Sequence, residues 1–180
     1  MLQLSDREWK PFFLTELFTT IQRGKRLKSE NHMVGKTPYV SSSALNNGVD
    51  NFISNTDKVR VFSNCLSLAN SGSVGSSFYE PFAFVASDHI THLKNERYSK
   101  YHYLFIASIT NRLSQKYNFN REINDNRISR EKIMLPINEQ GDLDLDFMEQ
   151  YIKEREVKLL QKYKSFISKN IQTGGGAETP

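Results

Sequence analysis

The uninterrupted segment after Gly141 is the feature that most constrains the fold of this chain. Residues 142–171 contain neither proline nor glycine, so nothing in them breaks a helix. A helix of roughly 28 residues would be about 42 Å long at a rise of about 1.5 Å per residue. Three aspartates lie at its start, where the helix dipole favours negative charge. We therefore predict one helix from about Leu143 to Ile171.

Most apolar residues of this helix fall on one stripe, whereas Phe147, Tyr151 and Val157 lie off it and could anchor the helix to the globular part. Leu145, Ile152, Leu159 and Phe166 are spaced by seven, which is the repeat of a coiled coil. Arg155 and Lys162 occupy inner positions of the same stripe, so the seam is imperfect. Either the helix packs on its own domain, or it pairs with another helix. For the second case the expected contact residues are Ile152, Leu159, Leu160, Tyr163, Phe166 and Ile167.

The residues before Gly141 have a strand-like pattern. Short apolar runs are separated by clusters of Asn, Ser, Gly and Asp, which is typical of strands and turns. The runs are 38–40, 52–53, 59–62, 77–79, 82–85 and 90–93. Asn46-Asn47-Gly48 predicts a tight turn, because Asn and Gly tolerate positive φ. Helical spacing predicts two helices in this part, at 14–21 and 101–117.

These patterns predict an α+β fold with a mixed or antiparallel sheet, followed by one long C-terminal helix of the coiled-coil type. The expected organisation is a globular domain over 1–140, the long helix over 141–172 and a flexible tail over 173–180. The single cysteine, Cys65, excludes a disulfide framework and a multi-cysteine zinc site. No apolar run is long enough to span a membrane, and no secretory signal is recognisable, so we expect a cytoplasmic protein.

Motifs for catalysis are not found in the sequence. Gly24-Lys25 lacks the upstream glycine of a phosphate-binding loop. The segment 71–76 is rich in Gly and Ser but matches neither a dinucleotide fingerprint nor a nucleophile elbow. It is either a turn between strands or a backbone contact for phosphate. On a strand, His89 and His92 would point to opposite faces, so no metal site is predicted. The sequence favours a binding module over an enzyme.

Two basic segments are candidates for binding a polyanion. The chain carries a formal net charge of +4, and Arg23, Lys25, Arg26 and Lys28 form its first basic cluster. The second segment, 112–132, has six basic and three acidic residues mixed with asparagines and aromatic residues. Arg and Asn make bidentate contacts to guanine and adenine edges, and Lys and Arg neutralise phosphates. The alternative is that both segments are ordinary solvated loops.

The order of the chain's motifs carries a further indication. The motifs are spread over most of residues 9–170. In chain order they are Trp9-x-x-Phe12-Phe13, Arg23-Gly24-Lys25, Pro38-Tyr39-Val40-Ser41-x-Ser43, Asn46-Asn47-Gly48-Val49, Asn70-Ser71-Gly72-Ser73-Val74-Gly75, Ser87-Asp88-His89, Lys132-Ile133-Met134-Leu135-Pro136 and Asp146-Phe147-Met148. This series resembles the target recognition domain of restriction–modification specificity (S) subunits of type I. It is also similar to the specificity regions of type IIG and IIB systems.

The resemblance implies a function and a set of partners. The globular part would read one half of a bipartite site in double-stranded DNA. The long helix would pack against a second such helix and against methyltransferase (M) subunits. The restriction (R) subunit would associate with the chain through those M subunits. S-adenosylmethionine, Mg and ATP would belong to those partners, and this chain would hold no cofactor or metal. A full S subunit has two such domains and two helices, so the chain resembles a half subunit that forms a homodimer.

The residues expected to contact DNA come from the two basic segments and from the polar turns between them. The expected contacts are Lys25, Arg26, Lys28, Ser41, Ser43, Asn46, Asn47, Ser73, Ser76, Arg121, Asn124, Asn126, Arg127 and Arg130. Two alternatives remain open. The chain could be the C-terminal recognition fragment of a fused type IIG methyltransferase–endonuclease, in which case coding sequence would precede Met1. It could also be an interaction protein that uses only its long helix.

Overall fold

The computed structural model describes residues 1–174, with side chains as far as residue 170. Ten strands and four α-helices follow one another over residues 1–174. They are β1 (Glu8–Phe13), α1 (Leu14–Leu17), β2 (Thr20–Arg23), β3 (Val34–Val40), β4 (Val49–Ile53), β5 (Val61–Phe62), β6 (Cys65–Ala69), β7 (Ser77–Glu80), β8 (Phe84–Ala86), β9 (Ile90–Lys94), α2 (Lys100–Thr110), α3 (Asp125–Ile128), β10 (Lys132–Ile137) and α4 (Leu145–Gly174). Short 3₁₀ turns lie at Leu4–Asp6, Ser29–Asn31, Asn46–Gly48 and Asn111–Gln115.

The strands of the described residues form three sheets. Strands β2-β9-β6-β7 make an antiparallel sheet, and β4-β3-β8-β5 make a mixed sheet in which only β3 and β8 are parallel. Strands β1 and β10 pair with each other, so that the start of the domain lies against the strand that leads into α4. The predicted α+β fold with mixed and antiparallel sheets and a long C-terminal helix is confirmed.

The main core lies between the antiparallel sheet, α2 and the start of α4. Leu66, Leu68 and Leu93 of the sheet are fully buried against Tyr103 and Phe105 of α2. Phe147 and Met148 of α4 belong to the same cluster. A smaller cluster around Val40, Cys65 and Phe84 joins the two four-stranded sheets. Burial of large apolar side chains on both sides of the antiparallel sheet makes the globular part a rigid support for its loops.

The structure corrects two of the predicted helices. The helix predicted over 14–21 ends at Leu17, and Thr20–Arg23 is a strand that pairs with β9. The apolar spacing of this segment suits both a helix and a short strand, and the pairing with β9 decides between them. The helix predicted over 101–117 spans Lys100–Thr110 and continues as a 3₁₀ turn over Asn111–Gln115.

Strands β1, β2, β6 and β10 were not predicted. Strand β6 is buried at all five positions. Since the main core with α2 covers one face of β6 and the second four-stranded sheet covers the other, the strand lacks the polar alternation that marks a half-exposed strand.

Helix α4 is the long helix that the sequence predicts. Asp144 caps it, accepting the backbone N–H of Phe147 at 2.8 Å. The N-terminal segment of the chain crosses its third turn, where Glu154 accepts the N–H of Leu2 at 2.7 Å and Arg155 donates to the carbonyl of Leu2 at 2.7 Å. From Val157 onward the described side chains are exposed. The body therefore holds only the first part of the helix.

The helix extends beyond its predicted end. It runs to Gly174 and so includes residues 173 and 174 of the predicted flexible tail. The rest of that tail, residues 175–180, lies outside the described residues. Over residues 1–174, no helix is both long and apolar enough to cross a bilayer.

Candidate nucleic-acid interface

Several strands of the two four-stranded sheets end at the same edge of the molecule. Strand β2 ends where β9 begins, with Arg23 opposite Thr91, and β6 ends opposite Ile90. In the second sheet, β3 and β8 end side by side at Val40 and Ala86. The connecting loops therefore project together. We call this surface the loop edge and define it by the segments 23–26, 41–48, 70–76, 87–89 and 118–127.

Backbone hydrogen bonds tie the segments of the loop edge into one unit. Lys25 donates to the carbonyl of Ala86 at 3.1 Å, and Ser87 donates to that of Val40 at 3.0 Å. Ser73 donates to the carbonyl of Ser42 at 3.1 Å. Asn70 joins two further segments, because its N–H donates to His89 at 2.9 Å and its carbonyl accepts from Ile123 at 2.9 Å. Loops held by such a network are presented in a fixed geometry.

Backbone conformation explains two of the turns in the loop edge. Asn46, Asn47 and Gly48 all have positive φ, as the sequence predicts for a tight turn. Gly72 also has positive φ, and a Cβ there would collide with the side chain of Ser42. The segment 71–76 is a turn between β6 and β7. Gly72 allows the 41–48 and 70–76 loops to approach each other closely.

The segment between α2 and β10 is anchored at two buried residues. Tyr117 and Ile123 belong to the main core. The buried carboxylate of Glu131 accepts hydrogen bonds from the Tyr117 hydroxyl and from the Lys116 ammonium group. The bond to Glu131 raises the pKa of Lys116, and burial is the main cause of the raised pKa of Tyr117. The exposed residues 118–122 therefore project from a fixed base.

Most of the predicted DNA-contact residues lie on the loop edge. The exposed ones are Lys25, Arg26, Asn46, Asn47, Arg121, Asn124 and Asn126. The half-buried ones are Ser41, Ser43, Ser73, Ser76 and Arg127. Arg130 is exposed just after α3, outside the defined segments. Lys28 also lies outside them, 3.3 Å from the carboxylate of Glu30 in the segment that leads to the start of β3.

Two of these residues have structural contacts. The side chain of Asn124 caps α3, accepting the N–H of Arg127 at 2.9 Å. The guanidinium group of Arg127 donates to the carbonyl of Glu122 at 2.5 Å. Arg121, in contrast, is exposed with its guanidinium carbon 5.5 Å from the centroid of the Tyr117 ring. Arg121 is therefore the more available of the two arginines for a ligand.

The structure brings three further basic side chains to the loop edge, of which Arg23 belongs to the first basic cluster but not to the list of expected DNA contacts. Arg60 donates to the carbonyl of Arg23 at 2.5 Å, and both arginines line a cleft with Asp125. The guanidinium group of Arg23 lies 3.5 Å from the Asp125 carboxylate. His89 is partly exposed and shares a hydrogen bond with the Ser71 hydroxyl. Nothing in the sequence indicates that Arg60 lies here, because it is 37 positions away from Arg23 along the chain.

The two histidines considered for a metal site do not converge. His89 lies on the loop edge, whereas His92 is buried in β9 with its ring stacked on Phe62 at a centroid distance of 3.9 Å. Burial lowers the pKa of His92, against a raising effect of its hydrogen bond with Gln22. No group of three or more His, Cys, Asp or Glu in the described part of the chain is placed to hold a metal ion.

Helix α4 presents a second candidate surface. Ile152 packs against the main core, so it is covered by its own domain. The remaining five residues of the predicted partner stripe are exposed, and Leu159, Tyr163 and Phe166 are 65%, 61% and 62% exposed. The other two are Leu160 and Ile167. The apolar stripe that is open to a partner therefore begins after the part of the helix held by the body.

Sequence comparisons place the chain in one family. The sequence model described as "Type I restriction modification DNA specificity domain" matches residues 6–165. The specificity subunit S.BcgI of a type II restriction enzyme, from Heyndrickxia coagulans, is 32% identical over 159 residues, which are 87% of this chain and 46% of the relative. The chain thus spans about half the length of this relative.

Solved structures show the same fold. An S subunit of a type I restriction–modification system from M. genitalium superposes with a TM-score of 0.59 at 17% identity, over 93% of this chain and 44% of that one. The HsdS subunit from Thermoanaerobacter tengcongensis gives a TM-score of 0.60 at 15% identity, over 87% and 39% of the two chains.

Proposed function

The chain belongs to the family of type I restriction modification DNA specificity domains, and we propose that it reads one half of a bipartite DNA target for a restriction–modification system. The reading surface is the loop edge. Its site residues are those predicted from the sequence, except that Lys28 and Arg130 lie outside it, and Arg23, Arg60 and His89 are added.

One observation carries this proposal. Exposed basic and amide side chains project from loop segments that backbone hydrogen bonds hold in a fixed arrangement. Lys25 and Arg26 extend from β2, and Arg121 extends from the turn after α2. The hydrogen bonds through Asn70 and Ala86 hold these segments together. Lysine and arginine can neutralise phosphates, and arginine and asparagine can read base edges in the major groove. A fixed arrangement of both kinds is what sequence-specific recognition requires.

Under this proposal, partner subunits carry out DNA methylation and cleavage. The chain directs a methyltransferase subunit, which uses S-adenosylmethionine, to the target, and the restriction subunit with its ATP and Mg acts through that assembly. This chain's own contribution is binding and orientation. The match to the type I specificity family supports this division, since it covers the globular part and most of α4.

The second part of the proposal is that helix α4 pairs two copies of the chain. Its exposed residues from Leu159 to Ile167 form an apolar stripe beyond the body. We expect two copies to pair through this stripe, because exposing a large apolar side chain costs about 1.5–3 kcal/mol relative to burial. Two copies related by a two-fold axis would read an interrupted palindrome. The helix would then set the distance between its two halves.

A selection experiment tests the proposal. The full chain is mixed with a pool of duplex DNA with a randomised core, and the bound fraction is sequenced after repeated rounds. We expect enrichment of a short motif, present as two inverted copies at a fixed spacing, with binding that weakens as salt is raised. Binding without any enriched motif would contradict a reading function. Absence of DNA binding together with capture of a methyltransferase subunit would favour an interaction protein that works through α4.

A further inference from the structure

Phe119 is the most exposed aromatic side chain in the described part of the chain, at 78%. It lies at the tip of the turn between Tyr117 and Ile123. An aromatic ring left in water is unfavourable because its apolar surface is not buried. The main core and the Lys116–Glu131 contact are close to this turn, yet Phe119 packs in neither.

The turn holds the ring away from the body. Asn118 and Arg121 exchange two backbone hydrogen bonds, of 3.3 and 2.9 Å, which close the turn around Phe119. The side chain of Asn118 also accepts the N–H of Asn120 at 3.0 Å. The flanking residues Tyr117 and Ile123 are buried. A turn that is closed by its own bonds and anchored at both ends presents its tip in one position.

The surroundings of the ring are polar and cationic. Asn118, Asn120 and Arg121 beside it are all exposed. The N–H of Ile123 donates to the carbonyl of Asn70, so the turn lies next to the loop that joins β6 and β7. A partner that fits must cover an apolar ring while it also satisfies a guanidinium group and several amides. Duplex DNA does so, because its flat base faces lie between two rows of phosphates.

We propose that Phe119 is a wedge that inserts between base pairs of the target duplex, with Arg121 on the adjoining phosphate or base edge. This inference rests on the proposed function, since it needs the loop edge to face DNA. Apolar side chains that enter a base step partly unstack it and kink the duplex. Phe119 then adds recognition of an easily deformed step, such as a pyrimidine–purine step, to the direct contacts of the neighbouring arginine and asparagines.

The test compares Phe119→Ala and Phe119→Leu with the unchanged chain. Phe82→Ala is the matched control, because Phe82 is another exposed aromatic residue, in the loop between β7 and β8 at the opposite edge. The probe is the randomised duplex pool, treated with permanganate, which oxidises unstacked thymines. Affinity and permanganate reactivity are read in the same bound fraction by sequencing. Thermal unfolding of each variant checks that the fold is intact.

The unchanged chain and Phe82→Ala should give reactive thymines at a fixed position within the enriched motif. Phe119→Ala should lose this reactivity and bind roughly 5- to 150-fold more weakly, the range for losing one aromatic–base stack. Phe119→Leu should keep part of both signals, since leucine also acts as a wedge.

Two results would overturn the inference in different ways. In the first, Phe119→Ala keeps its affinity for DNA and the permanganate reactivity of the thymines, while Arg121→Ala weakens binding. The proposed role of Phe119 would then be wrong, and the proposed DNA-reading function would be unaffected. If the unchanged chain binds no duplex at all, the proposed function fails and the wedge fails with it.

Discussion

Asp144 joins Arg7, the residue before β1, to the start of the long helix, because one of its carboxylate oxygens accepts the Nε–H of Arg7 at 2.7 Å while the other accepts the N–H of Phe147 at 2.8 Å. The Arg7 guanidinium group also lies 4.9 Å from the centroid of the Phe147 ring. With the contacts of Leu2 to Glu154 and Arg155, the N-terminal segment fixes the direction in which α4 leaves the body.

Removing the Asp144 carboxylate should destabilise this junction. We expect Asp144→Ala to lower the free energy of unfolding by about 1–3 kcal/mol, from loss of a helix cap and a charged hydrogen bond. The Arg7 side chain is 38% exposed, so solvent screening keeps the ion-pair part small. Asp144→Asn should lose less, since asparagine also caps helices. Urea unfolding of the three proteins measures this, and equal stability of all three would contradict the role of Asp144.

Glu80 should make stability depend on pH. It is fully buried on β7, where its Oε1 accepts the Ser67 hydroxyl at 3.0 Å and its Oε2 has no hydrogen-bond partner among the described residues. Burial raises the pKa of Glu80 from 4.5 to about 7, although the Ser67 bond acts in the lowering direction. Between these values the unfolded chain releases a proton that the folded chain retains. The folded state should therefore lose stability as pH rises from 4.5 to about 7, by roughly 3 kcal/mol in total.

Replacing Glu80 by glutamine tests the sign of this effect. Glu80→Gln resembles the neutral form, so it should be more stable than the unchanged chain above pH 7 and no more stable below pH 4.5. Glu139→Gln, at an exposed position, serves as the control and should show no such difference. Unfolding free energies over this pH range give the answer. A Glu80→Gln variant that is less stable than the parent at high pH would mean that the buried carboxylate has a stabilising partner.

Lys25 and Arg26 should contribute to DNA affinity without regard to sequence. If both side chains neutralise phosphates, changing them to alanine should weaken binding to all duplexes about equally. The slope of log affinity against log salt should then fall by about 0.9 for each phosphate that is no longer neutralised. Lys36→Ala is the control, since Lys36 is exposed near the start of β3, away from the loop edge. Binding isotherms at several salt concentrations provide the slope. An unchanged slope would show that neither side chain meets a phosphate.

The exposed stripe of α4 should cause self-association. We expect a monomer–dimer equilibrium that depends on concentration, and Leu159→Asp and Phe166→Asp should shift it to the monomer because each buries a carboxylate in an apolar seam. Ser168→Asp adds the same charge on the opposite side of the helix and should leave the equilibrium unchanged. Analytical ultracentrifugation across a range of concentrations distinguishes these cases. A parent chain that stays monomeric throughout would remove the argument for a two-fold symmetric site.

Local patterns were enough to predict some features but not others. The long helix follows from its lack of helix breakers, and the turn at Asn46–Gly48 follows from residues that tolerate positive φ. The pairing of β1 with β10 joins residues more than 100 positions apart, and no local pattern encodes it. For the same reason the sequence could not show that the Arg60 side chain contacts the backbone of Arg23.

Hydrogen–deuterium exchange of the full chain, with and without the duplex selected from the randomised pool, tests the placement of the DNA-reading surface most directly. Amide exchange reports where a bound partner excludes solvent, segment by segment. We expect slower exchange on DNA binding in 41–48, 87–89 and 118–127, with no change in 81–83 and 95–99 at the opposite edge of the sheets. Protection confined to those opposite loops, or to α4 alone, would contradict this placement.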